Sequence, residues 1–346
     1  MDEAVLANKA FKKVTESKAI HEAVYLIENQ AGTRRKTQGY GGKDQDSPLL
    51  MASITKLFTT ATVLMLIEEG RLQLQDKISR YIPDQVLDGL HVYKGKEYSQ
   101  ELEVYDLLFQ SSGLPDYLSE GKQVKQQMLK EDFYYSFDEL IEMTKSLTAH
   151  FRPRTAAAYY TNINFDLLGQ IIETVTDRSV AEVYRRKIFE PLGLDHTYLV
   201  SSEDDYVPAI YVEDRRAARP NAIRSFGASG GGVTTARELM IFMKAFFTDQ
   251  LFKQESFALL KEYRKLQASM RPVHYGGGHM RIALGTFDTF FMGTGSLLGH
   301  VGTTGSFAFF HPENDLFLVG DLNQMVIPAR PHRFVTRLAL SKEVIK

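Results

Sequence analysis

The most apolar run of the chain, Leu57 to Ile67, lies within a segment, 53–69, that reads as a helix. Leu57, Phe58, Ala61, Val63, Leu64, Leu66 and Ile67 there fall on nearly every face of a helix. A helix that is apolar all round belongs inside a protein, and Gly70 stands where a left-handed cap ends many helices. A weaker helical rhythm runs over 3–16 through Val5, Leu6, Phe11 and Val14, followed by strand-like segments at 21–28 and 34–41. From 75 to 225 the pattern is mainly helical, with candidates at 104–110, 137–147, 164–174 and 180–189 and polar loops at 116–135 and 201–224. A glycine cluster at 227–232 precedes a helix at 235–247, whose start, Thr235-x-x-Glu238, reads as a capping box. Beyond 270 the texture becomes β, at 270–283, 286–292, 299–311 and 315–322, before a last helix at about 330–345. The pattern predicts an α/β protein: a β-rich body from 1–75 and 226–346, with a mainly helical insertion at 76–225.

Composition narrows the function. The 346 residues are 44% hydrophobic, enough to build a core, and 41 Lys+Arg against 43 Asp+Glu leave a net charge of −2. That balance argues against an electrostatic nucleic-acid binder. With 0 Cys the chain has no disulfide, thiolate metal site or thiol nucleophile. No run approaches the ~20 apolar residues of a membrane span. The start Met1-Asp2-Glu3-Ala4 lacks a signal-peptide pattern, so the chain as written is expected in the cytoplasm; a trimmed mature form would be extracytoplasmic. Oligomeric state is not legible.

Three constellations carry chemistry. In Ser53-Ile54-Thr55-Lys56 a serine and a lysine share one helix face at i, i+3. Burial and the positive helix end both lower that lysine's pKa, which makes it a base for the hydroxyl. Ser119-Glu120-Gly121-Lys122 has the same spacing but sits in a charged loop. Tyr160-Thr161-Asn162 combines a phenol able to relay protons with an amide able to orient a lysine or a carbonyl. In His300-Val301-Gly302-Thr303, placed at the start of a late strand, the glycine lets a ligand approach the backbone, and the amide after it offers an oxyanion donor.

Gly227-Ala228-Ser229-Gly230-Gly231 is a rival. It fits the G-x-S-x-G nucleophile elbow, with Asp288 and His300 in the expected order. An elbow needs a buried strand before the serine and a helix directly after it, and 221–233 offers neither. The nine histidines form no metal-binding H-E-x-x-H, and there is no phosphate or dinucleotide loop.

S-x-x-K, Y-x-N and H-x-G in this order resemble the serine β-lactamase and penicillin-binding protein superfamily, in its class C β-lactamase and D-alanyl-D-alanine carboxypeptidase branch, which also includes D-aminopeptidases and esterases. Further stretches are similar to that branch: Leu107–Pro115 to its LLTHTSGLP segment, Asn162–Gly169 to SN-x-x-Y-x-LLG, and Pro191-Leu192-Gly193-Leu194 and 230–235 also fit. The resemblance implies an antiparallel sheet flanked by the N- and C-terminal helices, with the site between sheet and helical insertion. It implies Ser53 as acylated nucleophile, Lys56 as its base or base partner, Tyr160 as proton shuttle, and Asn162 holding the lysine and the acyl amide. It further implies an oxyanion hole from the N–H groups of Ser53 and Thr303. His300, with Gly302, stands where many members have lysine, since no K-T-G occurs. Pro153-Arg154 replaces the usual Pro-Gly.

The expectation is therefore a cofactor-free serine hydrolase acting on a D-amino-acid peptide or a small ester, with β-lactams as further ligands. The alternatives are a penicillin-recognising sensor that acylates without turnover and an inactive relative. His300, and Arg330 after the last strand, are the expected partners for an anionic group on the substrate, with a decline in activity toward such substrates from pH 6 to 8 as the histidine loses its proton.

Overall fold

The computed structural model describes residues 5–285, 293–327 and 329–341. Helix α1 (Val5–Thr15) leads into a hairpin of β1 (Ala23–Glu28) and β2 (Arg35–Tyr40). The apolar stretch at 53–69 folds as a 3-10 turn, Ala52–Ile54, running into α2 (Thr55–Glu68). Central segments supply α3 (Ile163–Thr176) and α4 (Ala236–Phe246). The C-terminal part supplies β3 (Arg264–Lys265), β4 (His274–Tyr275), β5 (Met280–Ala283), β6 (Ser296–Val301), β7 (Phe307–His311), β8 (Leu316–Asp321) and α5 (Arg330–Ala339). The strands form one eight-stranded sheet in the order β3-β4-β5-β6-β7-β8-β1-β2, antiparallel throughout.

Strand alternation assigns the two faces. Phe307, Gly320 and Tyr25 lie in one row across β7, β8 and β1. The Tyr25 and Phe307 rings pack on Phe11 of α1 and Phe334 of α5, so this face carries the two terminal helices. Phe310 and Phe317, at the opposite parity, stack on each other and meet Phe247 at the end of α4. β1 is buried along all six residues because both faces are covered, whereas edge strand β2 is mostly exposed.

A second sheet, Pro48–Leu50 with Gly232–Thr235 and Tyr198–Leu199, ties three distant parts of the chain together beside α2. One continuous apolar core runs through the sheet, α2, α3 and the helices of the central region. Thr235 caps α4 by accepting the Glu238 N–H, as the sequence indicates, but the Glu238 carboxylate turns away to the backbone N–H of His196 and to Thr197.

Both polar loops contain structure. Within 116–135 lies the helix Lys122–Lys130, held by Val124 and Met128, one turn apart and both buried. Within 201–224 lie the hairpin Ile210–Val212/Arg215–Ala217 and the helix Pro220–Ser225. That helix opens on proline, and the Asp132 carboxylate accepts the Asn221 and Ala222 N–H groups. Two apolar contacts in a charged segment and a cap from 90 residues away leave no periodic trace. The strand expected at 286–292, including Asp288, and the expected helix beyond 341 lie outside the described residues.

Candidate active site

Ser53 is the middle residue of the 3-10 turn before α2, and Lys56 lies one turn on. The residue before Ser53, Ala52, is buried at φ +44°, a left-handed conformation that costs a non-glycine residue about 1–3 kcal/mol. Surrounding contacts hold it there. The turn Gly302–Ser306 after β6 is bonded to it through Thr304 Oγ1 to the Leu50 carbonyl (3.2 Å) and Ser306 Oγ to the Met51 carbonyl (2.9 Å).

Gly302 is the point of closest approach. A Cβ there would lie 2.1 Å from Ser306 Oγ, 2.5 Å from the Met51 carbonyl oxygen and 3.0 Å from Ala52 Cβ. The glycine of H-x-G thus admits the protein's own Ser53 turn, not open ligand space. The motif also sits at the exit of β6 rather than at the start of a strand. The arrangement sets the exposed Thr303 next to the turn that carries Ser53, and neither backbone N–H has a protein partner among the described residues.

Lys56 is fully buried. Its amine lies 3.1 Å from Ser53 Oγ, 2.7 Å from Asn162 Oδ1 and 2.6 Å from the Ser229 carbonyl oxygen. Desolvation brings its pKa down to about 7, against the opposing pull of Asp166 and Asp116. Two of its neighbours are carbonyl oxygens, which only accept. They fit the two N–H bonds of a neutral amine, whose lone pair then faces the Ser53 hydroxyl.

Asn162 ends the loop before α3. Its orientation comes from Asp116, whose Oδ1 accepts both the Asn162 backbone N–H (3.0 Å) and its Nδ2 (3.1 Å). Behind Lys56, the buried Asp166 accepts a hydrogen bond from Tyr117 (2.8 Å), and burial raises its pKa. Neither aspartate was singled out from sequence. Asp166 left a signal there: a carboxylate in Phe165-Asp166-Leu167-Leu168, set directly among large apolar residues, demands a partner.

Tyr160 lies over the same amine, with its ring centroid 5.2 Å from Lys56 Nζ. Its hydroxyl is shut from solvent and has no hydrogen-bond partner within ordinary distance among the described residues. Burial raises its pKa, while Ser53 is the neighbour that opposes the rise. Arg154, in the unusual Pro-Arg pair of the loop entering Tyr160, takes φ +63°, the conformation that glycine would hold more easily.

His300 is brought into the cluster but not as a cation. It is wholly buried, with Nδ1–H donating to the Val301 carbonyl (2.8 Å), and its ring packs against Tyr160 and Tyr275 at 5.8 and 5.9 Å. Desolvation and the charge of Lys56 hold its pKa well below the ordinary histidine range, so the ring is neutral. The expected pH-sensed carboxylate partner is thereby corrected.

Arg330 is not brought to Ser53. It opens α5, on the sheet face opposite His300, in a cleft shared with Lys13, Ser17 and Arg333. Ser229 is no elbow nucleophile either: it sits in a helical turn, Gly227–Gly230, with its buried hydroxyl donating to the Phe226 carbonyl (2.7 Å). A helix, not a strand, precedes it.

A sheet covered by helices, with a serine and a desolvated lysine at their seam, defines a class that comparison with known proteins makes specific. The chain belongs to the beta-lactamase family, whose model matches residues 9–340, and so to the serine hydrolase superfamily. It is similar to Protein flp of Staphylococcus aureus, 33% identical over 171 residues, covering 46% of this chain and 31% of that one. It is also similar to a putative D-alanyl-D-alanine carboxypeptidase of Escherichia coli, 32% identical over 149 residues, 42% of this chain and 32% of the relative. The matched regions thus span about a third of these relatives. The fold is that of the D-amino acid amidase of Ochrobactrum anthropi, at TM-score 0.78 and 18% identity, covering 97% of this chain and 98% of that one. Among the described residues no helix is long and apolar enough to cross a membrane.

Proposed function

We propose that the protein hydrolyses an amide or ester bond through an acyl-enzyme on Ser53. The observation that carries this reading is the Lys56 amine, 3.1 Å from the Ser53 hydroxyl and held near neutral basicity by burial. Neutral Lys56 takes the Ser53 proton as Oγ bonds to the substrate carbonyl carbon. The N–H groups of Ser53 and Thr303 receive the negative oxygen. When the bond to the leaving group breaks, a proton passes to that group from Lys56, directly or through the Tyr160 hydroxyl. Water then attacks the acyl carbon, gives a proton back along the same route, and frees Ser53. No step calls for a metal or an organic cofactor.

The substrate class we propose is a D-amino-acid amide or peptide, or a small ester. Support comes from the relatives named for D-alanyl-D-alanine carboxypeptidase and D-amino acid amidase activity. His300 in place of a lysine moves the reading away from β-lactam turnover. As a neutral ring it serves to pack Tyr160 rather than to hold a carboxylate. The site lies at the junction proposed between the sheet body (1–75 and 226–346) and the helical segment (76–225).

The test is intact mass and peptide mapping after a fluorophosphonate and, separately, a β-lactam. The expected result is one adduct, on Ser53. Ser53→Ala abolishes ester hydrolysis, whereas Ser229→Ala, which keeps the carbonyl that binds Lys56, retains most of it. An adduct on Ser229 overturns the assignment. An adduct on Ser53 that never turns over, with ester and amide alike, makes the protein a sensor.

A further inference from the structure

On α5, Arg330, Arg333 and Arg337 stand at i, i+3 and i+7, which puts them in one stripe on the outer side of the helix. The neighbouring helix α1 turns Lys9, Lys12 and Lys13 outward, with the acid Glu16 just past its end. Between the two helices lies a cleft of about 240 Å³, lined by Lys13, Ser17, Ile327, Arg330, Arg333 and Arg337, with no carboxylate in its wall. Among the described residues these four cations form no ion pair. Arg330 Nη1 is closed off from solvent with no hydrogen-bond acceptor among the described residues, and burial lowers the Arg330 pKa. A buried guanidinium nitrogen with no acceptor is a costly group to leave unmatched.

This concentration of charge stands out in a chain whose net charge is −2. The segment leading into α5 adds a second feature. Val326 and Ile327 are large apolar residues that remain 41% and 37% exposed at the edge of the cleft. A site for a free oxyanion has no use for them. A bilayer takes both: phosphates against the cations, acyl chains against the apolar pair.

We propose that the seam of α1 and α5 docks the protein on an anionic phospholipid surface, with Lys13, Arg330, Arg333 and Arg337 taking lipid phosphates and Val326 and Ile327 entering the interface. The surface lies on the sheet face opposite His300, so docking and chemistry use different residues.

The test is cosedimentation of the full chain with phosphatidylglycerol/phosphatidylcholine vesicles and with phosphatidylcholine alone. Binding is expected to the anionic vesicles only, and to weaken between about 0.05 and 0.5 M salt. Lys13→Gln/Arg333→Gln/Arg337→Gln is expected to lose about 100-fold in affinity, since each cation near an anionic surface contributes about fivefold. Val326→Ser/Ile327→Ser is expected to lose about tenfold. Parental ester hydrolysis by both variants certifies their fold. Absence of binding to anionic vesicles at low salt, or equal binding by either variant, overturns the proposal. So does binding of inorganic pyrophosphate without binding of vesicles, which would make the cleft a site for a soluble oxyanion.

Discussion

Asp116 clamps Asn162 by accepting from both its main-chain N–H and its side-chain amide through a single carboxylate oxygen. With Nδ2 committed to Asp116, the Asn162 carbonyl oxygen faces Lys56 at 2.7 Å. An aspartate that is hydrogen-bonded to neither Ser53 nor Lys56 therefore decides how the lysine is held.

Asp116→Ala should free the Asn162 amide to flip and slow acylation by about 10- to 100-fold, mainly in kcat. Asp116→Asn keeps an acceptor toward Nδ2 and should recover much of the rate. Pre-steady-state acylation of the two variants checks this; equal losses would mean that the charge, not the clamp, matters.

Acylation of a neutral ester should rise with pH through about 7, as Lys56 loses its proton. Lys56→Arg cannot act as this base and should lose about 10²-fold or more. Asp166 is the neighbour that most favours the ammonium form. Asp166→Asn should therefore move the rising limb to lower pH, and Asp116→Asn should move it the same way by less. A limb that stays in place in Asp166→Asn would detach it from Lys56.

Substrates with and without a carboxylate should give parallel profiles of kcat/KM over about pH 6–8, because His300 stays neutral across that range. His300→Lys puts a second buried charge near Lys56 and should lower the melting temperature by several degrees. A decline confined to anionic substrates would return His300 to the role of a cation.

Gly302→Ala should push the Met51–Ala52 turn outward and cost about 1–3 kcal/mol of stability. Because that turn carries Ser53, ester hydrolysis should fall by about tenfold or more even where the variant is fully folded, since small misplacements of reacting groups are expensive. Thermal melting read beside kcat separates the two effects.

The sequence disclosed what short-range geometry controls. Ser53 and Lys56 are legible because three residues on a helix impose one face, and the hairpin β1–β2 because two strand-like runs flank a short turn. Arg330 and His300 are misread for a shared reason: their charge states and neighbours depend on which sheet face the last helix covers, a long-range property. The helix Pro220–Ser225 hides because its cap is Asp132, far away in sequence. Asp116 hides because an aspartate after a Gly-Leu-Pro turn looks like any turn residue.

Lys56 owes its low basicity to burial, and the two carbonyl oxygens that hold its amine in place, from Asn162 and Ser229, lie 106 and 173 residues further along the chain. A growing polypeptide that has completed 53–69 already holds serine and lysine side by side, yet its lysine is still hydrated, protonated and chemically inert. The reactivity proposed for Ser53 is thus created by the closing events of folding rather than carried by the peptide. Fragments, circular permutants opened near Gly302 and partly unfolded forms should all be blank to a fluorophosphonate while retaining both residues. The covalent label then counts finished molecules, and a time course of labelling during refolding reads the arrival of the last contacts.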